Sequence, residues 1–439
     1  MTAEVAILNK TAVALAADSA VTISAGSDQQ KIYDSADKLF ELSECDPIGV
    51  MVNGDLNFMQ IPISVLIKMY REDRKEFARV PEAANSFLEY LSEYGVRAPD
   101  AVKDEYVRMG LRPLFERVKE RANEAILNRI FSLEPGGDFQ AKMAALREEM
   151  FLEQLAVMRN ALDRVPDAKF VGTDEFTPTE RNSTVIAEMA NSIFEDTSDR
   201  IVQNAIDLGL ISLKKKGTGP TNTGVIVAGF GKNDLFPTLV PYEVYGVVGD
   251  RLKYWEADVV DIDRSGTRAK VLPFAQREMV ERFLYGLDEG IRRNISSFCR
   301  AAVPEIRRKV LDKLDIDPDS KETLEKDAED AELAFLDGLR KDSFDAIRSQ
   351  SQAEIEDMVE FMPKPEMARM AEALVNLTSI KRRVSRGMET VGGPIDVAVI
   401  SRSEGFVWVH RKHYFPPELN SRFFQRKRAE LQGGGTGDG

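Results

Sequence analysis

The sequence predicts an α+β fold in which two β-sheets are flanked by helices and interrupted by long helical insertions. Three observations lead there. Short apolar runs with strand character lie at 3–17 and 38–54, again at 223–272, and at 395–410. Between about 83 and 215, and again between 304 and 365, strand signal gives way to charged amphipathic runs. Sheets of this apolar character must be covered on their outer faces, and the flanking helices supply the cover.

The first four strands are read from the stretches Met1–Leu8, Ala12–Ser19, Ser35–Leu42 and Ile48–Asp55. Met59, Ile63, Leu66, Ile67 and Tyr70 then recur at three and four residues, which is helical spacing. Residues 83–215 are expected as a helical insertion, punctuated by Pro135-Gly136-Gly137. Gly224–Phe230 reads as a buried strand, and Leu239–Val248 alternates like a half-buried one. Gly229-Phe230-Gly231-Lys232 between them invites a phosphate-loop reading. It fails because Asn233 follows, not Ser or Thr, and no helix comes next.

Thr267–Leu272 makes another strand. One helix is then expected to present Val280, Phe283, Leu284, Leu287 and Ile291 on a single face. The acidic insertion 304–365 contains Asp315-Ile316-Asp317-Pro318-Asp319, which mimics the start of a calcium loop. Ser320 and Lys326 stand where that loop needs Gly and Glu, so the segment reads as a helix start instead. A long helix over Met367–Arg386, a Gly392-Gly393 turn and a closing hairpin complete the chain. Residues 431–439, rich in glycine, are expected as a disordered tail behind one domain spanning 2–430.

Composition narrows the chemistry. The chain has 439 residues, enough for a large core, and a formal charge of −14, which argues against nonspecific nucleic-acid binding. No apolar run has membrane length, and Asp18 breaks the pattern a signal peptide requires. Two cysteines, Cys45 and Cys299, suit a reducing, cytoplasmic setting without a disulfide framework. The only histidines, His410 and His413, sit together near the C-terminus, so neither a histidine-based triad nor a zinc site is expected. No cofactor and no metal are expected.

The reactive groups lie in the first 55 residues. If Met1 is removed, Thr2 carries a free α-amine beside its hydroxyl. A hydroxyl needs a base to become a nucleophile, and an α-amine titrating at about 7.7–8.0 can serve. A lysine beside that hydroxyl lowers its pKa, and a carboxylate holds the lysine charged. Lys38 and Asp18 suit those roles if their strands flank the first. Backbone N–H groups around Asn53 and Gly54 are candidates for an oxyanion hole. Taken singly, each has a plain structural reading: a turn aspartate, a lysine reaching for water, an Asn-Gly turn.

Together, these residues resemble the start of a proteasome β-type subunit, in the N-terminal nucleophile hydrolase superfamily. Ala14-Leu15-Ala16-Ala17-Asp18-Ser19 is similar to that family's second strand and its Ala-Ala-Asp-Ser motif. Counting back from Asp18 by the family spacing lands on Thr2, and Lys38 falls at the family lysine. Asn53-Gly54 stands where the family has a Gly-Gly turn, and Phe274-Ala275-Gln276 where it has Gly-Ser-Gly. Val391 takes the place of a supporting serine, with Glu389 or Thr390 as substitutes for the family's supporting residues.

The resemblance implies a four-layer αββα sandwich and a threonine peptidase or amidohydrolase with Thr2, Asp18 and Lys38 at its centre. It implies a peptide or protein substrate, homo-oligomers such as rings, and an unfoldase or other partner. Ala20, Thr22, Lys31 and Val52 would then line the substrate pocket. A different class of reading is a catalytically silent relative acting as a structural or interaction protein.

Overall fold

The computed structural model describes residues 2–24, 30–130, 139–173, 175–314, 316–385 and 391–433. Two large antiparallel sheets form the frame. The N-terminal sheet runs in the order Ala269–Ala275, Ala3–Asn9, Ala12–Ala17, Asp396–Ser401, Gly405–His410. The central sheet runs Leu39–Glu41, Ile48–Gly54, Thr223–Gly229, Thr238–Val248, Arg251–Glu256, Lys169–Phe170, with Val260–Asp261 paired beside Thr238–Val248. The chain is thus a mixed α and β protein with several antiparallel sheets.

Alternation along the strands decides which side chains meet. In Ala3–Asn9, Ala3, Val5 and Ile7 pack with Val280, Leu284, Met367 and Leu374 of the helices Glu278–Tyr285 and Lys364–Val384. Ala6 and Leu8 point the other way. They join Val13 and Leu15, and meet Met51, Ile226 and Leu239 of the central sheet. On the far side of the central sheet, Val50, Val52, Val225 and Val227 pack with the helices Ile63–Glu72 and Val80–Val96. The inner strands are therefore apolar on both faces. That is why they read as nearly continuous apolar runs.

The insertion expected at 83–215 divides. Helix Val80–Val96 packs on the central sheet, as part of the frame. The helices Asp100–Ile130, Phe139–Asp163, Glu180–Ile193 and Asp199–Lys214 build a separate core around Phe115, Phe151 and Phe194. Phe115 and Phe151 each meet Phe194 edge-on, with ring centroids 5.7 and 6.1 Å away. The stretch is not wholly helical. Lys169–Phe170 pairs with Arg251–Glu256 as the edge strand of the central sheet and ties the insertion to it.

Other expectations need correction. The helix expected to run from Val280 through Ile291 stops at Tyr285, where Gly286 adopts a left-handed φ of 71°. Phe283, inside the helix but off its buried face, is exposed. Asp288 then caps a new helix, Glu289–Leu311, so the second insertion starts before residue 304. Asp317 caps the helix Pro318–Gly338 by accepting from the Ser320 N–H. The chain returns through a π-helical turn at Leu339–Asp345 and the helix Ala346–Glu360, whose Val359 joins the frame core. The C-terminal helix Ser421–Gly433 extends three residues into the stretch expected as a tail, and residues 434–439 lie outside the described ones.

Truncating Phe115 leaves a cavity where two aromatic neighbours met it. Phe115→Ala is expected to cost about 3–5 kcal/mol in a denaturant melt. A loss below about 1 kcal/mol would mean that the inserted helices do not share this core.

Candidate active site

Three segments of the frame converge on Thr2. It precedes the strand Ala3–Asn9 and is buried. The antiparallel neighbour Ala12–Ala17 ends just before Asp18, so register brings Asp18 opposite Ala3. The Asp18 N–H donates to the Ala3 carbonyl at 3.1 Å, and the Ala3 N–H donates to Asp18 Oδ1 at 3.1 Å. Lys38 enters from the other sheet, just ahead of Leu39–Glu41, with its carbonyl accepting from the Val52 N–H at 2.8 Å.

Lys38 is 1 % exposed, so its charge is shut off from bulk solvent. Its ammonium has three protons and three acceptors: Thr2 Oγ1 at 2.9 Å, Asp18 Oδ1 at 2.7 Å and the Ala20 carbonyl at 2.6 Å. The second Asp18 oxygen accepts from the Gly392 N–H at 3.0 Å. The next residue, Gly393, has φ of 74°, and a Cβ there would lie 2.8 Å from Asp34 Cβ, so this position of the turn requires glycine. An ammonium aimed at the Thr2 hydroxyl favours its deprotonated form.

Thr2 opens onto a cleft of about 690 Å3 between the two sheets. Asn53, Gly54, Gly224, Phe274, Ala275 and Gln276 are among its lining residues. Asn53 and Gly54, the candidates for the oxyanion hole, therefore share the cleft with Thr2. Asn53 lies opposite Gly224 in the ladder, where an added Cβ would come within 2.4 Å of Asn53 Oδ1. Ala20, Thr22, Lys31 and Val52 do not line this cleft, because Ala20 and Val52 are buried in the frame and Thr22 and Lys31 belong to the side ribbon Val21–Ser24 and Gln30–Tyr33. Glu389 and Thr390 lie outside the described residues.

One polar residue at the site, Glu4, escaped the sequence reading. Glu4 shares the strand face of Ala6 and Leu8, and so points between the sheets. Its Oε2 accepts from Asn53 Nδ2 at 3.0 Å, while its Oε1 is buried without a hydrogen-bond partner among the described residues. Burial pushes the Glu4 carboxyl up to about 8, against the opposing pull of Lys38 and of the Asn53 hydrogen bond. The signal was there: Glu4 is the one charged residue in the run Ala3–Asn9.

Gln276, in the stretch Phe274-Ala275-Gln276 that the sequence had singled out, also borders Thr2. Its N–H donates to the Thr2 carbonyl at 3.1 Å, and its Oε1 accepts from Arg382 Nε at 2.6 Å. The preceding Ala275 has φ of 59°, a left-handed conformation that an alanine adopts at a cost of about 1 kcal/mol or more. Among the described residues, no group of three or more His, Cys, Asp or Glu side chains is placed to hold a metal ion. No helix among them is long and apolar enough to cross a membrane. No protein-family model matches the chain, and no curated protein matches it.

Lys38→Met leaves the buried Asp18 carboxylate without its cation. It is expected to cost about 3–5 kcal/mol by urea unfolding. Adding Asp18→Asn should recover at least about 1 kcal/mol, because no unpaired charge then remains. A double variant that is less stable than Lys38→Met would contradict the ion-pair account.

Glu4 makes a separate pH prediction. Its folded pKa lies above its unfolded value, so the stability tied to its protonated form is complete below about 4.5 and is lost as pH rises through about 8. Glu4→Gln removes that loss. Its melting temperature should gain on the wild type progressively between pH 5 and 8.5, corresponding to a few kcal/mol. Parallel pH profiles for the two proteins would refute it.

Proposed function

We propose that the chain is a threonine amidohydrolase of the N-terminal nucleophile type, cleaving peptide bonds with Thr2 once Met1 has been removed. The observation that carries this reading is the ammonium of Lys38, fixed by Asp18 and 2.9 Å from Thr2 Oγ1, at the end of a large cleft. A solvated lysine at a strand end has no need of that geometry. The fold is compatible with a four-layer αββα sandwich: two antiparallel sheets share one apolar cluster, and each packs helices on its other side.

In this mechanism Thr2 Oγ1 attacks the substrate carbonyl carbon and passes its proton to the Thr2 α-amine. The charge of Lys38 stabilises the oxygen as the proton leaves. The carbonyl π electrons move onto oxygen, and N–H groups near Asn53 and Gly54 stabilise that oxyanion. Collapse breaks the C–N bond. The leaving amine takes the proton, and an ester remains on Thr2. Water then attacks the ester and returns the hydroxyl. Relatives of this kind assemble into oligomers or rings, and the same is proposed for this chain.

A second reading, a catalytically silent scaffold, draws on one observation. Gln276, which stands in the supporting turn beside Thr2, spends its side-chain oxygen on Arg382. Hydrolysis of a fluorogenic peptide library decides between the two. The first reading expects turnover by protein that begins at Thr2, with a loss of at least about a thousandfold in Thr2→Ala. Equal rates from wild type and Thr2→Ala would refute it.

A further inference from the structure

The second insertion contains a pair of helices that cannot be explained as part of the frame. In Glu289–Leu311 only Leu311 is buried, and in Pro318–Gly338 no residue is. Yet the first of these helices carries a continuous apolar stripe. Ile295, Phe298, Ala302, Ile306 and Val310 recur at three and four residues, which places them on one face. Phe298 is 72 % exposed and Ile306 60 %. The second helix exposes Leu324, Leu333 and Phe335. A helix that shows such a stripe to water is missing the surface that covers it.

The charges indicate what that surface is. Glu289–Leu311 carries six basic residues, Arg292, Arg293, Arg300, Arg307, Arg308 and Lys309, against two acidic ones. Pro318–Gly338 carries eight acidic residues against Lys321 and Lys326. Within one copy the two helices attract each other, as Arg307 to Glu329 at 2.9 Å shows. Much charge remains over: Arg300, Arg308, Glu325 and Asp330 have no ion-pair partner among the described residues. Beside the pair lies a groove of about 1050 Å3, lined by Arg292, Arg300 and Arg340 together with Leu333, Leu336 and Phe344.

An acidic partner would satisfy the basic helix and repel the other. A basic partner would do the reverse. A second copy of the same pair, turned by a two-fold axis, satisfies both, because in an isologous contact the basic helix meets the acidic one twice. We propose that this helix pair is a dimerisation arm, packing basic helix against acidic helix with its counterpart on a second copy of the chain. The apolar stripe forms the seam of the resulting four-helix contact. This pairing is independent of catalysis at Thr2.

Sedimentation of the full chain at micromolar concentration tests it. The wild type is expected as a dimer or a multiple of one. Phe298→Glu with Ile306→Glu should halve the mass and keep the wild-type circular dichroism. Two charge variants go further: Arg300→Glu with Arg308→Glu, and Glu325→Lys with Asp330→Lys. Each alone should fall to half mass, and an equimolar mixture of the two should return to the wild-type mass. A monomeric wild type, apolar variants that keep the wild-type mass, charge variants that keep it, or a mixture that stays apart would each overturn the proposal.

Discussion

A lysine ammonium buried between two sheets is the constraint on which the rest of this molecule depends. Removing such a charge from water costs several kcal/mol unless every proton finds an acceptor in good geometry. Here the three acceptors come from three places: the chain start, the end of the second strand and the loop after it. The two sheets must therefore hold a fixed separation and register. Asp18 carries the arrangement further, because its other oxygen reaches the Gly392 turn near the far end of the sequence. First strand, second strand, central sheet and closing hairpin are thus tied through one carboxylate and one ammonium.

The same interior explains Glu4. The Glu4 carboxyl is fully buried between the sheets, with one partner in Asn53 and an oxygen that has none among the described residues, so burial favours its neutral form well above the ordinary carboxylate range. It sits two residues from Thr2 and holds a residue of the cleft wall. The strained backbone at Ala275 lies on the opposite wall. Polar and strained features thus gather around Thr2.

Much of this was legible in the sequence. The runs Ala12–Ala17 and Ile48–Val52 are buried on both faces and so carry a strong strand signal, and the resemblance pointed to Thr2, Asp18 and Lys38, which the structure brings within hydrogen-bond reach. Glu4 was missed because a single charge at a strand start usually faces water, and only the register of its neighbours shows otherwise. Gly286 was passed over because the apolar spacing from Val280 to Ile291 continues through it, while the backbone does not. The partition of the first insertion was hidden too. Val80–Val96, Glu180–Ile193 and Asp199–Lys214 are all amphipathic, and nothing local says that the first joins the core of the central sheet and the other two the separate one.

The proposed hydrolysis turns on whether Thr2 presents both its hydroxyl and a free α-amine in the cleft. Intact-protein mass after exposure to a peptide epoxyketone, which reacts with the two groups together, measures that directly. The account predicts a chain that begins at Thr2, one adduct on the wild type and none on Thr2→Ala. A chain that keeps Met1 in its native host, or an adduct that survives in Thr2→Ala, would contradict it.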